Sequence, residues 1–133
     1  MSVESTRDVI SKYVESNHTD LSMMADNVVF TNMGTGDEHH GIDGVRGMLQ
    51  YIYHTAFDAH PEPRNMVFAD GKAVLEADFV GRHIGEFAGV PATNKMVRVP
   101  LCVVYDLEND KIARGRIYFE AAAFFKQVGD GQD

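Results

Sequence analysis

The residues of this 133-residue chain best suited to chemistry gather near its C-terminal end, between Arg114 and Gln127. Glu120 is a lone acid in an apolar run, preceded by Phe119 and followed by Ala121, Ala122, Ala123, Phe124 and Phe125. A carboxylate in apolar surroundings is pushed toward a neutral pKa by desolvation, which suits it to take a proton from beside a carbonyl. If the run is a strand, alternation sets Arg114, Arg116, Tyr118 and Glu120 on one face and Ile117, Phe119 and Ala121 on the other. With the polar row inward, Tyr118 and Arg116 can donate to a developing oxyanion while Glu120 moves the proton. With the apolar row inward, the arginines are solvated or paired and Glu120 has no catalytic meaning. An edge glutamate paired with an arginine is the plain structural alternative.

Histidine is the other group to weigh, because its ordinary titration lies nearest neutral pH. His83 shares a strand face with Leu75, Ala77, Phe79 and Gly81, which makes it the expected pocket histidine and a second acid/base group; a satisfied core histidine is the alternative. His39 and His40 are adjacent, so an extended segment points them to opposite sides and they cannot chelate one metal ion together. Surface exposure is their default, although one of them can look inward. His54 and His60 sit at and just beyond a helix end, where a cation is favoured. Cys102, the single cysteine, lies in the run LCVVY and reads as a small buried hydrophobe.

These groups must be positioned by elements that the periodicity outlines. Val3, Ile10, Tyr13 and Val14 recur at helical spacing, predicting an amphipathic helix over 4–17 that Asn17 and His18 end. A strand is expected over 28–33, and the loop GTGDEHHG carries a short second one. Val45, Met48, Leu49, Ile52, Tyr53, Ala56 and Phe57 predict a lid helix running from Asp43 to Ala59. Strands follow over 65–69, 73–84, 97–107 and 112–125, with turns at Asp70-Gly71 and Glu108-Asn109-Asp110. Helices early and strands late point to an α+β domain with one curved sheet wrapped on helices. The chain reads as a single domain over 1–133, with a frayed tail from about residue 127.

Twelve basic against twenty acidic residues leave a net charge of −8, which repels nucleic-acid backbones and anionic lipid surfaces. No apolar run is long enough for a membrane helix, and a cytoplasmic protein is the simplest reading. GTGDEHHG lacks the GxGxxG spacing and the lysine of a P-loop, so no cofactor is expected, and with His39 and His40 unable to chelate together no metal is expected either. The apolar faces of LCVVY and RIYFEAAAFF exceed what the helices of one subunit can cover, which predicts a homodimer packed sheet on sheet.

The stretch Gly81 to Gly129 carries a family resemblance: GRHIGEFAGVPATNKMV, then a strand pair turning at LENDKIARG, then RIYFEAAAFFKQVG. With GIDGVRGML leading into the lid helix, it resembles the SnoaL-like polyketide cyclase and ester cyclase branch of the nuclear transport factor 2-like superfamily. The resemblance implies a cone-shaped curved mixed sheet wrapped on three N-terminal helices and enclosing one pocket. It implies an acid/base position on the last strand, held by aspartate in the family and matched here by Glu120. Expected to line the pocket are Tyr13, Phe30, Met48, Tyr51, Ile52, Phe79 and Phe87. The implied function is cofactor-independent acid/base catalysis of the cyclase, isomerase or dehydratase kind on a small hydrophobic carbonyl compound. The alternative is a non-catalytic small-molecule-binding or dimerisation module of the same fold.

Overall fold

The computed structural model describes residues 1–129. Helix α1 spans Val3–Glu15 and begins with a reciprocal cap: Ser2 Oγ accepts from the Ser5 backbone N–H at 3.0 Å, and Ser5 Oγ accepts from the Ser2 N–H at 2.9 Å. Its buried stripe, Ile10, Tyr13 and Val14, faces the sheet. Strands β1 (Met24–Asn32) and β2 (Glu38–His40) form a hairpin that leads into helix α2 (Gly41–Gln50).

The lid helix is shorter than its periodicity suggests. Beyond Gln50 it passes through one wide π turn, Tyr51–Thr55, and Phe57 already opens strand β3 (Phe57–Ala69). Pro61 and Pro63 cannot sit inside a helix, and the strand tolerates them because β3 is an edge of the sheet. Ala56 and Phe57 are still fully buried, so the apolar signal was one of burial, carried by strand and turn instead of helix.

Strands β4 (Lys72–His83), β5 (Met96–Glu108) and β6 (Lys111–Phe119) complete the sheet. The β5–β6 turn places Asn109 and Asp110 at φ values of 52° and 60°, the left-handed pair that short hairpins favour. The sheet is six-stranded, curved and not closed into a barrel, in the order β2-β1-β6-β5-β4-β3, with β1 and β6 parallel and the other pairs antiparallel. Gly115 has a steric reason to lack a side chain, since a Cβ there would come within 2.8 Å of the Phe30 ring on the neighbouring strand.

The last strand stops at Phe119 instead of reaching Phe125, and Ala121–Val128 form helix α3. Three consecutive alanines favour helix over strand, and Gly129 closes it at a φ of 75°. The third helix of the fold therefore lies at the C-terminal end, apart from the other two. It is tied to β5 through Gln127, whose side chain accepts from the Arg98 N–H at 2.8 Å and donates to the Arg98 carbonyl at 2.7 Å. Gln127 and Val128 thus belong to α3, while residues 130–133 of the expected tail lie outside the described residues. No helix among the described residues is long and apolar enough to cross a membrane.

Two apolar clusters form the core. One gathers α1, α2 and the inner face of β1, β4, β5 and β6 around Val28, Leu75 and Tyr105. The other gathers Phe57, Phe79, Val97, Val99 and Phe124. Members of both wall a cavity on the concave side of the sheet.

Candidate active site

The cavity has a volume of about 350 Å³, at the small end of the ~300–1,000 Å³ usual for ligand pockets. Strand alternation builds most of its floor: Leu101, Val103 and Tyr105 from β5, Leu75 and Phe79 from β4, and Ile117 and Phe119 from β6. Tyr13, Phe30, Met48, Tyr51, Ile52, Phe79 and Phe87 all lie on its wall. Met48, Tyr51 and Ile52 come from α2 and the π turn, which roof it. The Tyr51 hydroxyl donates to the Glu86 carbonyl, tying this roof to the loop that carries Phe87.

Few polar groups interrupt this lining. The Tyr13 hydroxyl is sealed from solvent and has no protein partner among the described residues. Burial raises its pKa well above the ordinary phenol value, with Tyr105 and Tyr53 adding to the shift, so it remains a proton donor. Burial raises the pKa of Tyr53 and Tyr105 as well. His18 packs edge-on against Tyr13, with ring centroids 4.7 Å apart, and stacks on Tyr53 at 5.6 Å. Its Nδ1 is likewise buried and unpartnered among the described residues, and desolvation lowers its pKa to about 4.

His39 reaches the cavity through the β1–β2 hairpin. It stands opposite Phe30 in the antiparallel register, and cross-strand partners share a face, so the half-buried imidazole follows the buried Phe30 ring inward. His40 points away, with Nε2 3.0 Å from Glu38 Oε1 on the exposed side. Asp37 and Asn32 also line the cavity, and Asn32 Oδ1 accepts from the Gly34 N–H at 2.9 Å to fix the hairpin turn.

None of the four residues expected to act as acid, base or oxyanion donor lines this cavity. With Ile117 and Phe119 inward, Arg116 and Tyr118 lie on the outer face, as the second of the two sequence alternatives required. Arg116 donates to Asp106 Oδ2 at 2.7 Å, and Lys72 donates to the same carboxylate at 2.7 Å. Hydrogen bonding from Arg116, opposed by burial and aided by Lys72, lowers the Asp106 pKa to about 2. Tyr118 is 46% exposed. Glu120 is exposed at the residue preceding α3, where its carbonyl accepts from the Ala123 N–H at 3.0 Å.

His83 is fully buried but sits outside the cavity, packed between the rings of Phe57 and Phe124 at centroid distances of 5.2 and 5.1 Å. Nδ1 accepts from the Thr93 N–H at 3.3 Å and lies 3.0 Å from Thr93 Oγ1, fastening the 84–95 loop. Burial lowers its pKa, with backbone groups of Gly85 and Val90 acting in the opposite direction. The strand periodicity placed His83 on the inner face, but there it packs against Phe57 and Phe124 and does not line the cavity.

Sequence reasoning did not single out His18, Tyr53 or Tyr105 as site residues. His18 follows the end of α1 with a φ of 63°, outside any periodic pattern that could report its direction. His39 was more accessible, because pairing it with Phe30 across the GTGD turn settles which of the two histidines points inward.

The SnoaL-like polyketide cyclase family profile matches residues 8–128, nearly the whole chain. No curated relative matches the sequence. Among solved structures, TsrD from Streptomyces laurentii superposes with a TM-score of 0.82 at 21% identity, covering 97% of this chain and 98% of that one. A protein from Jannaschia sp. CCS1, proposed to be a SnoaL-like polyketide cyclase, gives 0.84 at 14% identity, with 96% and 94% covered. IdmH from Streptomyces antibioticus, proposed to be a polyketide cyclase, gives 0.76 at 20% identity, with 93% and 98% covered. At these identities the superpositions speak for the fold, and the profile match over 8–128 speaks for the family: the chain belongs to the SnoaL-like polyketide cyclases.

Proposed function

We propose that the protein is a cofactor-independent acid/base enzyme of the cyclase or isomerase kind, acting on a small hydrophobic carbonyl compound inside the concave cavity. The observation that carries this reading is Tyr13, a residue of the cavity lining whose buried hydroxyl has no protein partner among the described residues. Leaving such a donor unsatisfied costs about 1–3 kcal/mol, and a carbonyl oxygen that gains negative charge is the ligand group that rewards it most. His39, which lines the same cavity, supplies the base. In this reading His39 takes a proton from the carbon next to the carbonyl, Tyr13 stabilises the enolate oxygen, and the carbon nucleophile then closes a ring or is reprotonated at another position. The exclusion of water by Phe30, Phe79, Phe87 and Phe119 strengthens both interactions.

The family match supports a substrate of polyketide type, whose alternating carbonyls supply acidic carbons. Exposed Val67 and Tyr118, on the outer face of β3 and β6, support a homodimer, expected as twice the monomer mass in light scattering at micromolar concentration. The single unpaired Cys102 suits a reducing compartment, and we place the protein in the cytoplasm.

The test uses 2-tetralone, a flat bicyclic ketone with acidic carbons beside its carbonyl. Proton NMR in heavy water should show exchange of those protons accelerated well above the buffer rate. A ketone that raises the melting temperature without accelerated exchange would instead support the binding-module alternative.

A further inference from the structure

The β1–β2 hairpin turns a block of four residues toward the cavity. Phe30 stands opposite His39, and one step nearer the turn the Asn32 N–H donates to the Asp37 carbonyl at 2.8 Å, extending the same register by a rung. Residues two apart on a strand share a face, so Asn32 and Asp37 lie on the side of Phe30 and His39, and all four line the cavity. Asp37 is exposed and Asn32 half-buried, whereas Phe30 is buried, so the added rung stands at the mouth. Asn32 also pairs with Ile117 of β6, another lining residue, which sets apolar surface next to the polar rung.

The hydrogen-bonding capacity of this rung is divided between its two side chains. Asn32 Oδ1 accepts from the Gly34 and Thr35 N–H groups at 2.9 and 3.3 Å, which fixes the amide orientation and leaves its NH₂ free to donate. The Asp37 N–H donates to Thr35 Oγ1 at 3.2 Å, while the carboxylate has no protein partner among the described residues. A hydroxyl is the group that uses both, giving its hydrogen to the carboxylate and accepting one from the amide. A ligand carboxylate would be repelled by Asp37, and an ammonium has no lone pair for the amide. We propose that Asn32 and Asp37 form a specificity site for a hydroxyl on the substrate, one rung from His39. Two residues along a strand advance about 7 Å, so this hydroxyl sits across a bicyclic skeleton from the carbon beside His39. The substrate class is then a hydroxylated fused-ring ketone, bound with its hydroxyl at the mouth. The placement of the reacting carbon rests on the acid/base reading above.

The experiment compares 2-tetralone, 6-hydroxy-2-tetralone and 6-methoxy-2-tetralone, the last of which keeps the oxygen but cannot donate. Binding is read from the rise in melting temperature with ketone concentration, and exchange from proton NMR in heavy water. Wild type should bind the hydroxy ketone at least about tenfold more tightly than the methoxy ketone, because the donor meets a charged acceptor. In Asp37→Ala that ratio should fall to near one, and in Asp37→Asn, which keeps a neutral acceptor, to a value between; the second variant covers a folding failure of the first. A ratio near one in wild type, or a wild-type ratio kept by folded Asp37→Ala, overturns the hydroxyl site, while fast exchange of 2-tetralone leaves the acid/base reading standing. A preference that Asp37→Ala abolishes, with no exchange of any ketone by wild type, sustains the site and overturns the acid/base reading. Failure of all three ketones to bind or exchange overturns both.

Discussion

The two buried histidines, His18 and His83, have similar local chemistry and different settings. Each is nearly or fully buried, each has one ring nitrogen without a protein partner among the described residues, and each has its pKa lowered by burial. The difference lies in what surrounds them. His83 is packed between Phe57 and Phe124 with Thr93 at its Nδ1, and it does not line the cavity. His18 lines the cavity. Burial and a perturbed pKa therefore do not by themselves set a group beside open volume.

The largest expected effect that sharpens this contrast comes from the hairpin. His39→Gln should slow exchange by about a hundredfold or more, because it removes the base, whereas His40→Gln should leave it near wild type. Equal losses in the two would mean that the inward register of His39 is irrelevant to activity.

The next effect concerns stability against pH. The unfolded imidazole of His18 titrates near 6.5 and the folded one near 4, so between those values the unfolded chain binds the extra proton. Stability should therefore fall as pH drops from about 6.5 toward 4, by about 3 kcal/mol in total from this residue. Thermal melts of His18→Asn should show a shallower decline across that window than wild type, and parallel curves would contradict the buried neutral ring.

His83→Phe comes third. It removes the Thr93 hydrogen bonds but keeps an aromatic ring between Phe57 and Phe124, so it should cost about 1–2 kcal/mol in denaturant unfolding and leave turnover nearly unchanged. A large activity loss in this variant would reverse the contrast between the two histidines. Smallest is Arg116→Ala, which breaks a partly exposed ion pair to Asp106 and should cost below about 1 kcal/mol, since solvent screens such pairs.

Much of the molecule was legible before its structure. The curved sheet, its hairpins and the wall residues on strands and helices follow from alternation and helical spacing, because burial on a regular element repeats with the element, whereas Phe87 stands in the 84–95 loop, where no period reports its direction. The acid/base groups were harder to place. Glu120 was read as a strand residue, but strand pairing ends at Phe119, where the alanine run winds into α3, and one break in phase moved the carboxylate to the surface. Arg116 and Tyr118 depended on which strand face turned inward, where the bare residue pattern favoured the apolar row and the family resemblance the polar one. His18 stands in a left-handed turn after a helix, where direction is set by packing against Tyr13 and Tyr53 and not by any period.

The central claim is that the chemistry resides in the concave cavity and not at the end of the last strand. Its most direct test is a side-by-side comparison of Tyr13→Phe and Glu120→Gln in 2-tetralone exchange, with melting temperatures measured on both. Tyr13→Phe should lose about a hundredfold or more in rate while keeping or raising its melting temperature, because the lost hydroxyl had no protein partner, and Glu120→Gln should exchange like wild type. The opposite pattern, with Tyr13→Phe active and Glu120→Gln inert yet folded, would contradict the account.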